Sequence, residues 1–133
     1  MYDVTIIGGG IIGLATGHSL LSQNPGLKIL ILEKESQIGQ HQTGHNSGVI
    51  HSGIYYKPNS LKAINCRNGI DLLLKFCEQN NIPYDMCGKV IVATKEDQFG
   101  TLEMLYNRGI SNGIKGIKKL SSYELREYEH YAS

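Results

Sequence analysis

Long apolar runs are missing from this sequence. None approaches the roughly 20 residues that a membrane-spanning helix requires, so no transmembrane segment is expected. Charge of one sign is missing too. Thirteen Lys and Arg stand against 12 Asp and Glu, a formal net charge of +1. That balance offers no basic face for nucleic acid and no electrostatic hold on anionic lipid. Cysteine is scarce and odd in number at three, which excludes a disulfide scaffold. Cys66 and Cys77 fall in one stretch that reads as helix, and the rise between them, roughly 16 Å, is beyond the reach of a disulfide. Reduced, partly buried thiols are the expectation. Met1 runs almost at once into "YDVTIIGGG", which leaves no room for a leader peptide. A cytoplasmic location is therefore expected.

What is present is apolar enough to build a core, with 41% hydrophobic residues in 133. That length suits one domain or part of a larger one. Glycine is abundant at 16 residues. It clusters at 8–13 and 44–53 rather than spreading as low complexity, and no internal repeat is visible.

"YDVTIIG" (2–8) is β-branched and, past Asp3, uncharged, the pattern of a buried parallel strand. "GIIGLATGHSLLSQN" (10–24) carries Ile11, Leu14, Ala15 and Leu21 at helical spacing and ends at Pro25-Gly26. "LKILILE" (27–33) is a second buried strand. The three form a βαβ unit, whose crossover is expected to be right-handed. Residues 34–59 read as irregular, with a short helix around Asn46–His51. Asn59 or Ser60 then caps a helix to about Asn80, with Ala63, Cys66, Ile70, Leu73 or Leu74, and Cys77 on one apolar stripe. "GKVIVAT" (88–94) reads as a strand, 95–113 as a helix stopped by Asn112-Gly113, and 115–130 as a short strand and a helix capped by Ser121-x-x-Glu124.

Gly8-x-Gly10-x-x-Gly13 joins the first strand to the first helix. Gly8 permits the tight turn, Gly10 lets backbone amides approach a pyrophosphate, and Gly13 lets the helix pack on the strands. Phosphates would lie at the helix N-terminus, beside Ile11 and Ile12, where free N–H groups and the dipole favour anions. Glu33 ends the second strand, twenty residues after Gly13, where an acid hydrogen-bonds an adenosine ribose. A 2′-phosphate would be repelled there, which argues against NADP. A glycine turn that binds nothing is the bland alternative, and the ordered strand, helix, strand and acid weigh against it. The pattern specifies an ADP moiety without separating FAD from NAD.

"HQTGHNSGVIHSGIYY" (41–56) holds three histidines and three glycines but neither acid nor cysteine. His41 and His45 have i, i+4 spacing, yet Gly44 lies between them and no HExxH pattern is present. That argues against zinc, and no metal site is assigned. A surface loop with chance histidines is the plain reading. Position supports another, because a loop leaving the second strand passes the carboxyl edge of the sheet, where ligands bind. Thr43, Asn46 and Ser47 can donate to phosphate oxygens, Gly44 and Gly48 permit close approach, and a helix beginning near Asn46 would aim a second N-terminus at the same anion.

"YDVTIIGGGIIGLATGHSLL", "LILEKES", "HQTGHNSGVIHSGIYYKPNSLKA" and "CGKVIVAT" together resemble L-2-hydroxyglutarate dehydrogenases/oxidases, within the FAD-dependent D-amino-acid-oxidase/glycine-oxidase-like superfamily. The first two pieces are shared by many flavoproteins, and the 41–56 stretch carries the subfamily. The resemblance implies an α/β fold, with a Rossmann-like FAD-binding βαβ unit followed by the start of a mixed-sheet substrate domain. The boundaries it suggests are 1–85 and 86–133. FAD is the implied cofactor, its ADP on Gly8–Gly13, Glu33 and Lys34, its pyrophosphate and flavin along Thr43–Val49, including Gly44, Asn46, Ser47 and Gly48. A small 2-hydroxy acid would lose its C2 hydride to flavin N5 while a base takes the hydroxyl proton, and the electrons would leave to a quinone or oxygen. His51 is the first candidate for base or carboxylate holder, Tyr55 and Tyr56 can position a carboxylate, and His45 can sit beside the isoalloxazine. A packing role is the competing reading for each.

Chains of the family are several-fold longer, so this sequence is expected to be the N-terminal part of such an enzyme and not to turn over substrate alone. A separate C-terminal chain is one partner that reading allows, and full-length members allow peripheral membrane association. A non-catalytic nucleotide-binding remnant, a related oxidase of another 2-hydroxy or 2-amino acid, and an NAD-binding Rossmann protein are the alternatives.

Overall fold

A computed structural model describes residues 1–131. Two compact units divide the chain, Met1–Val49 and a second beginning at Ile50. The first is the βαβ unit. β1 (Val4–Ile7) leads through three glycines into α1 (Ile11–Gln23), and β2 (Ile29–Leu32) returns parallel to β1, with Val4 opposite Ile29 and Ile7 opposite Leu32. The expected α/β class holds, with a two-stranded parallel sheet.

The face of α1 that meets the sheet is not the aliphatic stripe. Ile11, Ala15 and Leu21 are exposed, and Leu14 is half-buried. The packed face runs through Gly13, buried Gly17 and half-buried Leu20. A methyl at Gly17 would come within 3.4 Å of Ile6 Cδ1 and 3.6 Å of Ile31 Cδ1. Gly13, lacking a side chain, lets the helix approach the turn and strand, and burial at both glycines falls to backbone that a hydrophobicity pattern does not count.

The second unit carries α2 (Leu61–Gln79), a 3₁₀ turn (Glu96–Gln98), α3 (Phe99–Ser111) and α4 (Ser122–Tyr128). Of the two candidate caps for α2, Ser60 takes the role, its Oγ accepting from Ala63 N at 3.2 Å, while Asn59 supplies a left-handed φ of 63° before it. At the other end Asn81 turns left-handed at φ 54°. Asn81 N donates to Glu78 O at 3.4 Å and Ile82 N to Cys77 O at 2.9 Å, the paired bonds of a Schellman stop. α3 ends the same way at Gly113, through Gly113 N to Ile110 O and Ile114 N to Gly109 O, both 3.0 Å. The capping box at Ser121 and Glu124 forms as expected. Ala63, Cys77, Leu105 and Ile54 are the buried hydrophobics, each larger one worth about 2 kcal/mol. On the α2 stripe it is Leu74, not Leu73, that turns inward. All three cysteines are free.

Three expected elements are not formed. Gly88–Thr94 is irregular, and so is 115–120. A strand exists only by pairing its backbone groups with another, and among the described residues no second segment offers a ladder to either. The second sheet expected to start at 88–94 is therefore absent from the described residues, and Val90 and Val92 stand about 40% exposed. The short helix at Asn46–His51 is not formed: a run of turns over 38–44 is followed by a bend at 45–46 and irregular backbone over 47–53. Gly48, at φ +65°, breaks helical continuity there. No helix among the described residues is long and apolar enough to cross a membrane.

Candidate functional site

In the first unit, the glycine turn sits at the junction of β1 and α1 and floors an open groove of about 790 Å³ lined by Gly8, Gly10–Gly13, Thr43 and Asn46. Gly8 adopts φ +105°, a region closed to most side chains, while its N–H continues the ladder to Leu32 O at 2.7 Å. Gly13 needs its missing side chain because a Cβ there would overlap the carbonyl oxygen of Gly8.

The middle glycine is the residue that sequence reasoning missed. Gly9 is buried, its N–H donates to Glu33 Oε2 at 2.6 Å, and its carbonyl accepts from Gly39 N at 3.1 Å. A Cβ on it would press within 2.9 Å of Ile38 Cγ2 and 3.1 Å of Glu33 Oε2. The triple glycine in the sequence was the available signal.

Glu33 thus reaches the turn from the end of β2. Its other oxygen accepts from Glu35 N at 3.0 Å. These amides, first Glu35 and then Gly9, hold the carboxyl below the ordinary range, with nearby His41 adding to the effect. Thr43 closes the groove from the loop. Its Oγ1 accepts from Ile11 N at 2.9 Å, so the hydroxyl proton is free to donate elsewhere. A helix start leaves amides without intrahelical acceptors, and Ile12 and Gly13, which carry them here, line the groove.

The other loop candidates serve mainly to shape the loop. Asn46 Nδ2 donates to Gln42 O and Thr43 O, while its Oδ1 accepts from Gly48 N at 2.7 Å. Gly44 packs against backbone, since a Cβ would sit 2.6 Å from Gly39 O. His45 Nδ1 donates to His41 O at 2.9 Å, which leaves Nε2 as its other functional atom. His41 and Lys34 both pair with Glu35 Oε1, at 3.0 and 3.5 Å. Lys34, Ser47 and Val49 are exposed.

In the second unit, His51 and Tyr55 line one smaller cavity, about 190 Å³, together with Tyr56 and Lys89. Lys89 Nζ lies 4.4 Å from the Tyr55 ring centroid. The turn that carries Tyr55 is clamped from α3 and its C-cap. Asn112 Nδ2 donates to both Gly53 O (3.1 Å) and Tyr56 O (2.9 Å), and Arg108 Nη1 donates to Tyr55 O at 2.9 Å. Gly53, at φ +83°, leaves room for Cys66 Sγ, which donates to His51 O at 3.2 Å. Lys89, Arg108 and Asn112 were invisible as site residues in the sequence, because each acts across more than thirty positions of chain.

Asn112→Asp keeps the shape and replaces two donors by an acceptor facing two carbonyls. The expected loss is about 1–3 kcal/mol of stability, together with faster hydrogen exchange at the Tyr56 amide, which bonds Gly53 O within the turn. Denaturant titration and exchange mass spectrometry check this. An unchanged Tyr56 amide would show that the clamp does not hold the turn.

A family model described as FAD dependent oxidoreductase matches residues 3–133. Among curated proteins, the chain is 60% identical over 124 residues to the mitochondrial L-2-hydroxyglutarate dehydrogenase of Dictyostelium discoideum, covering 93% of this chain and 28% of that protein. It is 52% identical over 132 residues to the L-2-hydroxyglutarate dehydrogenase of Indibacter alkaliphilus, covering 99% and 33%. Against the mitochondrial human protein of the same name it is 48% identical over 130 residues, covering 98% and 28%. The chain thus spans about a third or less of the length of these relatives.

Proposed function

The chain belongs to the FAD dependent oxidoreductase family, and from that premise we propose that it forms the N-terminal, ADP-holding part of an enzyme that oxidises L-2-hydroxyglutarate to 2-oxoglutarate. The observation that carries this reading is the bond from Gly9 N to Glu33 Oε2, which sets a carboxylate beside the helix N-terminus. A ribose donates hydroxyl protons, and each Glu33 oxygen, already accepting one N–H, keeps a further lone pair for them. A pyrophosphate accepts protons, and the Thr43 hydroxyl and the first-turn amides of α1 supply them. The donor set therefore fits the adenine-nucleotide half of FAD.

When bound, FAD supplies the acceptor for the C2 hydride of the hydroxy acid. This chain's own part is to hold and to move protons. Gly8–Gly13, Glu33 and the Thr43–Val49 loop grip the cofactor. His51 would take the hydroxyl proton or hold the carboxylate, Tyr55 would orient the acid, and His45 would keep Nε2 available to the bound flavin. A quinone or oxygen is the final electron acceptor. The names and identities of the relatives support the substrate.

The test is colour. The purified full-length protein is expected to show visible flavin absorbance that bleaches when L-2-hydroxyglutarate is added without oxygen. Colourless protein, or bleaching by other 2-hydroxy acids but not this one, overturns the reading.

A further inference from the structure

An enzyme that prefers a dicarboxylate must meet one more anion than a monocarboxylate brings, and it does so with a fixed charge where that anion falls. We infer that Lys89, seated on the ring of Tyr55 in the second unit's cavity, binds the distal carboxylate of the substrate and sets the preference for dicarboxylic over monocarboxylic 2-hydroxy acids. This rests on the function proposed above and adds the residue that selects the substrate.

Four features of the cavity carry the inference. Its lining contains no acid, so Lys89 has no internal counter-ion there. Among the described residues no Asp or Glu pairs with Lys89 anywhere. The ring face of Tyr55, 4.4 Å from Nζ, holds the ammonium at the wall. An ammonium has three N–H donors, and contact with a ring face leaves donors for a carboxylate.

The platform under Lys89 is also built rather than incidental. Asn112 and Arg108 fasten the Gly53–Tyr56 turn at three carbonyls. Gly53 takes a left-handed φ with Cys66 packed beneath it. His51 shares the lining. The cavity therefore offers two basic side chains to a molecule with two carboxylates. The imidazole is the group suited to the reacting end, and the ammonium on its aromatic seat is suited to the far end.

The experiment uses the full-length, flavin-loaded enzyme and measures kcat/KM for L-2-hydroxyglutarate against L-2-hydroxybutyrate. Lys89→Met is expected to lower that ratio about 50-fold, the scale for losing one hydrogen bond to a charged group. Lys89→Arg is expected to keep most of the ratio. Glutarate, which has both carboxylates and no hydroxyl, should lose affinity in Lys89→Met by a similar factor in calorimetry. An unchanged ratio, or equal losses on both acids, overturns the inference. If Lys89→Met does not fold, Lys89→Gln gives the same comparison. Failure of the wild-type enzyme to oxidise L-2-hydroxyglutarate would instead sink the function itself, so the two failures are distinct.

Discussion

Gly13→Ala is expected to strip the protein of flavin and destabilise it by about 3 kcal/mol or more, the upper range for inserting a methyl into a packed site that cannot yield. The clash is with backbone, since the added Cβ overlaps the carbonyl oxygen of Gly8. Gly8 is itself tied to β2 through Leu32 O, so relief requires sliding α1 away from the strands. That movement carries Ile11 off Thr43 and opens the groove in which the phosphates would lie. Gly17→Ala, one turn further along the same helix, makes the contrast. Its Cβ meets only the side-chain tips of Ile6 and Ile31 at 3.4 and 3.6 Å. Alanine favours the helix over glycine by about 1 kcal/mol, so this variant should be neutral or slightly stabilised. Thermal unfolding and the ratio of flavin to protein absorbance check both. If the two variants behave alike, the glycine contact at 13 is not what fastens helix to turn.

The same contrast explains which parts of the fold were readable. The order strand, glycine turn, helix, strand and acid is local chemistry, and it survived intact. So did the stops at Asn80-Asn81 and Asn112-Gly113 and the Ser121 capping box, where single residues satisfy end groups nearby in the chain. On the packed face of α1 only Gly13 was legible, through its place in the glycine pattern, because Gly17 buries backbone and leaves no apolar signature. Gly88–Thr94 looked like a strand because Val90, Ile91 and Val92 favour one, but pairing is a property of two segments. The seat of Lys89 on Tyr55 and the Asn112 clamp join residues whose neighbourhood exists only after folding. Gly9 lies between these cases. Its glycine neighbours advertised the turn, but its contact with Ile38 and Glu33 exists only in the folded chain.

Glu33→Gln is expected to weaken binding of FAD to the apoprotein about 100-fold, the scale for disrupting two hydrogen bonds to a charged group, and to flatten the acid limb of its pH dependence. The carboxylate accepts from two backbone amides, Glu35 N and Gly9 N. An amide side chain has one oxygen, so whichever way Gln turns, its NH₂ faces one of those N–H groups. Gly9 then loses the anchor that holds the turn under the helix. The sign of the pH effect follows from the direction of the shift. The folded carboxyl sits below its ordinary value because the amides stabilise the charged form. Its contribution is therefore fully present above the unfolded value and disappears as pH falls through the folded one. Wild-type protein should lose stability over that acidic window, and with it the turn that holds the cofactor, whereas Glu33→Gln, already weak, should show a shallower dependence there. Glu33→Asp separates charge from reach. It keeps the carboxylate but is one methylene short of Gly9, so it should restore the acid dependence without restoring the affinity. Fluorescence titration with FAD across acidic pH reads all three proteins. An affinity that is equal in wild type and Glu33→Gln at neutral pH would mean that neither the carboxylate itself nor its hold on the turn takes part in binding the nucleotide.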